Sequence, residues 1–410
     1  MDSLTQIILG AACGEAVLGK KIGNKALIWG AVGGTIPDLD VLSNYFLNEL
    51  DSLAFHRGPM HSLLFATIAP FPLAWLVMQF YKKNWFNTKA YRTTGFITGS
   101  LFFILVAAVL QFAFYLFFGN WALIFSLFAI PSLYLIIRRL YSDYLGRTQE
   151  IPQASYKEWV LLFFFSIFTH PLLDALTTYG TRLYWPFSDH RVSLSTVSIA
   201  DPIYTIPFLF TVVLCGFYMR TDYKRRISVW TGIIVSTLYL GATAMTKMHV
   251  ENVMQNNLKE EGVNAEKMIS VPTIFNNLLW YGIAKENHQY YCQYYSILDK
   301  NPENNTIYKF ADGKELLGAD SAHHIVKTLD WFGDGYTSVL NRNGDTLQWN
   351  DLRFGSLSFK FEKPEDFVFH FDLIKSPKGL QFASNRKRPP LENDQMVKFW
   401  MRAFGKQGIN

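Results

Sequence analysis

Long apolar runs fill the chain as far as Ala244 and then stop. Residues 63–81, 95–118, 121–137, 159–176, 203–218 and 227–244 are close to the ~20 apolar positions that a helix needs to cross a bilayer, and they predict six membrane helices. Two earlier runs, 7–18 and 26–36, are too short for that and rich in small residues, among them Gly30, Gly33 and Gly34. They predict short helices, tilted, re-entrant or packed closely inside a bundle. From Lys247 onward the pattern turns polar. Alternating runs at 289–298, 346–349, 357–361 and 367–373 predict strands, and 249–258, 314–329 and 395–404 predict helices. The expected fold is a polytopic α-helical membrane bundle over residues 1–246, followed by an extramembrane α+β domain over 247–410.

Basic residues orient the spans. Lys82, Lys83, Lys89 and Arg92 lie in one connecting loop, Arg138, Arg139 and Arg147 in another, and Arg220, Lys224, Arg225 and Arg226 in a third. The excess of Lys and Arg in cytoplasmic loops assigns these to the cytoplasm, and Lys20, Lys21 and Lys25 join them if both short segments cross. The same count puts the C-terminal domain outside. It also brings three polar clusters, described below, to the outer rim.

Composition narrows the class without changing it. The 410 residues are 50% hydrophobic and 16% aromatic, yet the mean hydropathy is only +0.09, as expected when an apolar half is joined to a polar one. The net charge of +5 is spread over short loops rather than one patch, so nucleic acid is not expected as a partner. Cys13, Cys215 and Cys292 show no paired spacing and predict free thiols. The start has neither a basic leader nor a clear cleavage site, so no signal peptide is expected.

Ionisable side chains at membrane depth are costly and mark function by default. His170 and Asp174, four residues apart, share one face at the end of a predicted span. Asp38 and Asp40 follow Pro37 in an apolar neighbourhood. Helix capping would explain one of those carboxylates but hardly both, since two would repel unless a cation or proton stood between them. His56 and His61 flank a tight Arg-Gly-Pro turn. Together these six residues supply the imidazoles and carboxylates that suit one or two divalent ions, zinc foremost, with manganese as the alternative. Arg57, Arg182 and Arg191, with Asp201, form a second tier: a guanidinium beside a metal clamps a phosphoryl oxygen, and ion pairing with Asp189 or Asp201 is the plain alternative. His249, His288, His323, His324 and His370 lack ligand-like spacing.

The ordered motifs Met-Asp-Ser-Leu-Thr-Gln at the start, Gly34-Thr35-Ile36-Pro37-Asp38-Leu39-Asp40, His56-Arg57-Gly58-Pro59-Met60-His61-Ser62, Thr169-His170-Pro171-Leu172-Leu173-Asp174, Pro186-Phe187-Ser188 and Asp201-Pro202 resemble the YdjM family of bacterial inner-membrane proteins. That resemblance implies an inner-membrane location and metal-dependent hydrolysis. The order Asp, His, then His with Asp four residues on is also similar to zinc-dependent phospholipase C and related single-strand nucleases, whose N-terminal amine is a ligand. This second resemblance implies that Met1 or Asp2 lies near the site.

The expected function is metal-assisted hydrolysis of a lipid or lipid-linked phosphoester, with Asp38, Asp40, His170, Asp174 and Arg57 in the chemistry and membrane lipid as partner. The rival expectation is a non-enzymatic scaffold or a transporter, whose outer domain binds a partner.

Overall fold

A computed structural model describes residues 1–119, 122–146, 148, 150–356, 358–377, 379–383 and 393–408. The basic loop residue Arg147 and the first residue of the expected span 121–137 lie outside them, as do the basic residues Arg386, Lys387 and Arg388. By contacts the chain forms two compact units. One is Phe71–Val160, and the other joins Met1–Pro70 to Leu161–Asn410.

The N-terminal part is helical. Helices α1 (Ser3–Ile22), α2 (Asn24–Thr35) and α3 (Glu49–Phe55) are followed by α4 (Leu63–Ile68), α5 (Pro70–Lys82), α6 (Lys89–Phe118) and α7 (Ala122–Tyr141). Helices α8 (Tyr156–Ala175), α9 (Pro202–Phe217) and α10 (Tyr223–Glu260) complete it. Four stretches among the described residues are long and apolar enough to cross a membrane: Leu63–Lys82, Lys89–Ala108, Tyr156–Ala175 and Tyr223–Glu260.

The two short segments pack as an α1–α2 hairpin at unusually close range, and glycine makes that possible. A Cβ on Gly10 would sit 2.4 Å from the Gly30 carbonyl oxygen, and one on Gly34 would sit 2.5 Å from that of Gln6. No larger residue fits without parting the helices. Near the far end of α1, Glu15 takes two hydrogen bonds, 2.7 and 2.5 Å, from the Arg225 guanidinium of α10, and both side chains are buried.

Helix α10 is a single rod where the sequence suggested a span and a separate helix. Its polar second half continues because Val250, Met254 and Leu258, one every four residues, are buried against Trp280, Ala284, Tyr291 and Tyr295. Those partners belong to the first of two antiparallel sheets, made of β1 (Lys267–Pro272), β2 (Leu279–Glu286), β3 (Gln289–Ser296) and β4 (Ile307–Ala311) in that order. Helix α11 (His324–Phe332) leads to the second sheet, again in chain order: β5 (Thr337–Asn343), β6 (Thr346–Asp351), β7 (His370–Ser376) and β8 (Gly379–Ala383). Helix α12 (Asn393–Ala403) follows. The second sheet's core of Trp349, Phe371, Leu373 and Leu329 also takes in Leu50 of α3, so strands and site-bearing segment share buried surface.

Two expectations for this part fail locally. Of the strand expected over 357–361, the described residues 358–361 form a loop, because Phe359 turns at φ 59°. That turn lets Phe359 and Phe361 both enter the core against Tyr294 and Tyr281. The helix expected over 314–329 is broken into a 3-10 segment, Lys314–Ala322, with Gly318 at φ 54°, and α11, which begins after His323 caps it.

Candidate metal centre

Four elements carry the site. Helix α2 ends at Thr35 and the chain tightens into a 3-10 segment, Pro37–Tyr45, which holds Asp38 and Asp40. Helix α3 ends at Phe55, and His56 follows as its C-cap. A turn with Arg57 at φ 56° then leads to a short 3-10 turn, Pro59–His61. Helix α8 brings His170 and Asp174 on one face.

Asp38, His61, His170 and Asp174 converge, each offering one ligand atom within 4.8 Å of the others, in an arrangement that could hold a metal ion. His170 Nε2 lies 3.4 Å from Asp38 Oδ1 and 3.4 Å from Asp174 Oδ2. His61 Nε2 lies 3.6 Å from Asp38 Oδ1, 3.3 Å from Asp174 Oδ2 and 3.2 Å from His170 Nε2. Asp38 is 20% exposed while the other three are almost fully enclosed, so the centre opens on the Asp38 side.

The remaining atoms of these residues explain why the four point inward. His170 Nδ1 bonds the Gly34 carbonyl at 2.6 Å. A carbonyl only accepts, so Nδ1 carries the proton and the Nε2 of neutral His170 has a free lone pair. His61 Nδ1 lies 3.2 Å from Asp40 Oδ2, an electrostatic contact rather than an aligned hydrogen bond. Asp174 Oδ2 is buried and has no hydrogen-bond donor among the described residues. Four electron-pair donors therefore meet at one point, which demands a cation or extra protons.

Without an ion, protons take that place. Burial disfavours the charged form of His61, but Asp174, Asp38 and Asp40 outweigh it and push the imidazole up to about 10. Burial would raise the carboxyl of Asp38, yet hydrogen bonding to His170 and His61 holds it well below the usual range. Asp40 is likewise held low by His56 and His61 against its burial.

Asp40 lies behind the cluster. It takes a 2.7 Å bond from the Arg57 backbone N–H and faces His56 Nδ1 at 2.8 Å, so it ties the turn together and steadies His61. His56 touches the cluster only through Asp40 and a ring contact with His61. The Arg57 guanidinium is buried, 3.3 Å from Asp174 Oδ1, and donates to the Thr177 hydroxyl at 3.1 Å.

Arg182 pairs with Asp189, as the plain reading of its sequence allowed. Arg191 does not pair with either aspartate. It is buried among the carbonyls of His56, Tyr179 and Gly180 and stacks on the Tyr179, Trp331 and Phe332 rings. Asp201 caps α9 through Ile203 and Tyr204 and accepts from the Tyr239 hydroxyl at 2.7 Å; none of these partners belongs to the cluster.

Three contributors are not singled out by residue type or spacing. The Met1 amine is fully buried and donates to Asp174 Oδ1, and burial together with Arg57 pulls it down to about 6 despite that carboxylate. Gln6 donates to the same oxygen at 3.1 Å and to the His170 carbonyl at 3.2 Å. Tyr179 lies under the guanidiniums of both Arg57 and Arg191. Only the resemblance to the phospholipases pointed to Met1, because an α-amino group leaves no mark in a pattern of side chains.

A helical half holding a buried His₂Asp₂ cluster, joined to a region of two antiparallel sheets, is the class of protein that fold and site define. The chain belongs to the YdjM inner membrane protein family, whose family model matches residues 1–250. No curated protein and no solved structure matches it.

Proposed function

We propose that the chain is a multi-pass inner-membrane hydrolase that uses a divalent ion, zinc foremost, on a lipid or lipid-linked phosphoester at the outer face of the membrane. The convergence of His61, His170, Asp38 and Asp174 carries this reading. A tetrahedral ion with bonds of ~2.0–2.2 Å to nitrogen and oxygen has ligand–ligand edges of about 3.3–3.6 Å. Five of the six edges run from 3.2 to 3.6 Å, and the sixth, between Asp38 and Asp174, lies within 4.8 Å. Octahedral magnesium would bring neighbouring ligands closer, and calcium would need more oxygens at longer range.

A divalent ion held this way supplies Lewis acidity and a water acidic enough to attack near neutral pH. The chain's own residues do the rest. Asp40 and the Gly34 carbonyl fix the two imidazoles, a support on which metal affinity depends. Arg57 offers a guanidinium to the negative charge that builds on a phosphoryl oxygen. Met1, Gln6 and Arg57 engage Asp174 Oδ1, which leaves Oδ2 turned toward the centre.

Lipid is favoured by the surface beside the open edge. The segment that carries Asp38 and Asp40 exposes Leu39, Val41, Leu42 and Leu47, with Tyr45 at 81% and Phe46 at 85%. Such a run is costly in water and at home in a bilayer interface, where aromatic residues gather.

The test is metal analysis of the purified protein together with a panel of phospholipids and lipid-linked phosphates. Near-stoichiometric zinc and hydrolysis, both lost in His170→Ala and Asp38→Ala, are expected. A folded wild type without metal, or with activity indifferent to both substitutions, would overturn the proposal.

A further inference from the structure

Beside the metal centre, behind His56, lies a recess of about 480 Å³ between α3 and the second sheet. This volume falls in the range of small-ligand sites. Its polar lining comes from Ser43, Asn44, Glu49, Ser52, His56 and His370, and its apolar lining includes the rings of Phe369, Phe371 and Phe382.

Two of the polar groups point to a ligand. Ser52 is 4% exposed, and its buried hydroxyl has no hydrogen-bond partner among the described residues; the buried hydroxyl of Ser43 has none either. An unsatisfied buried hydroxyl costs free energy unless something polar in the recess answers it. Charge says which kind of group. Among the described residues no Lys or Arg lines the recess and Glu49 is its one carboxylate, a lining that disfavours an anion. The guanidiniums of Arg57 and Arg191 instead stack on Tyr179, whose ring also meets the His56 ring and lines the recess.

We infer that the recess binds a neutral, polyhydroxylated group of pyranose size, so that the substrate is a phosphoester whose head group is a sugar or cyclic polyol. Hydroxyls of such a group satisfy Ser43 and Ser52 and come within reach of Asn44 and Glu49, while its C–H face lies on aromatic rings whose faces are electron-rich. This assignment rests on the hydrolase reading for the word substrate, but binding in the recess requires neither metal nor turnover. It gives the second sheet a role that the cluster leaves open: that sheet supplies one wall of the head-group site.

The experiment is saturation-transfer NMR on the full-length protein, in a detergent without a sugar head group. The probes are methyl hexosides, myo-inositol and glycerol, with choline and inorganic phosphate beside them. Saturation of at least one hexoside or of inositol is expected, weakened about tenfold or more by Ser52→Val and by the more conservative Glu49→Gln. His170→Ala is expected to bind the same probe with little change.

Saturation by choline or phosphate alone, or by no probe, would overturn the inference. So would hexoside binding indifferent to both recess variants while their thermal unfolding matches wild type. If wild type holds zinc but no hexoside, only the recess assignment falls. If hexosides bind to a protein without metal, the hydrolase reading falls and the recess stands.

Discussion

His170 Nδ1 bonds the carbonyl of Gly34, a residue 136 positions earlier in the chain, at 2.6 Å. The bond ties an imidazole of the candidate metal centre to the backbone of the glycine hairpin, so hairpin packing sets the direction of that ring. Gly34→Ala would place a methyl group 2.5 Å from the Gln6 carbonyl oxygen and 3.0 Å from Gly10 Cα, forcing α1 and α2 apart. Without touching a ligand, the substitution is expected to weaken zinc binding by about 10–100-fold. Competition with a chromogenic chelator reads this, and unchanged affinity in a folded variant would show that the carbonyl does not orient His170.

Metal binding should release a proton. Free of metal, His61 keeps its second proton up to about pH 10, against 6.5 for an ordinary imidazole. The raised value means that the charged ring favours the metal-free fold, fully below about pH 6.5, less and less as pH rises from there, and not at all above about 10. An ion must displace that proton, so affinity is expected to rise with pH below that point, about tenfold per unit for one proton. Calorimetry near pH 8 in buffers of different ionisation heat should register about one proton released; uptake or no change would contradict it.

Legibility from sequence differed by level. All six residues proposed as ligands were visible as ionisable groups in apolar surroundings, because burial of charge is conspicuous in composition. Their division of labour was not: Asp40 and His56 have the same chemistry as Asp38 and His61, and the winding of Pro37–Tyr45 together with the turn at Arg57 sets which of them face His170. The long apolar helices were readable from apolar length, as with α6 and α8. The sheets were less so: β2 is as long as β3 but opens as a nearly continuous apolar run rather than an alternating one, and β4 and β8 are only five residues each. In α10 the boundary was hidden by a polar exposed face covering a buried four-residue stripe.

The Glu15–Arg225 pair is expected to behave as a buried ion pair in which each partner needs the other. Glu15→Ala alone should cost about 3–5 kcal/mol, by leaving a guanidinium enclosed without its carboxylate. Replacing both with apolar residues, Glu15→Leu with Arg225→Met, should cost much less. Thermal unfolding of the two variants in detergent decides; equal losses would mean that the residues act independently.

Topology is open to direct labelling. Cys215 and Cys292 are buried and Cys13 is partly so, which keeps background reaction low. Glu261→Cys, at the end of α10, should react with a membrane-impermeant maleimide in intact cells whose outer envelope is permeabilised. Arg139→Cys, on exposed surface near the end of α7, should react only after lysis. The reverse pattern would place the sheets in the cytoplasm.

Helix α10 runs for 38 residues, about 57 Å of uninterrupted rod. The stretch shared with the family stops at residue 250, in the middle of it. The match to the family model therefore ends where the polypeptide has no joint. A shortened version cut at that point would end in a frayed stub and strip the first sheet of Met254 and Leu258, so a separable fragment would have to begin or end elsewhere.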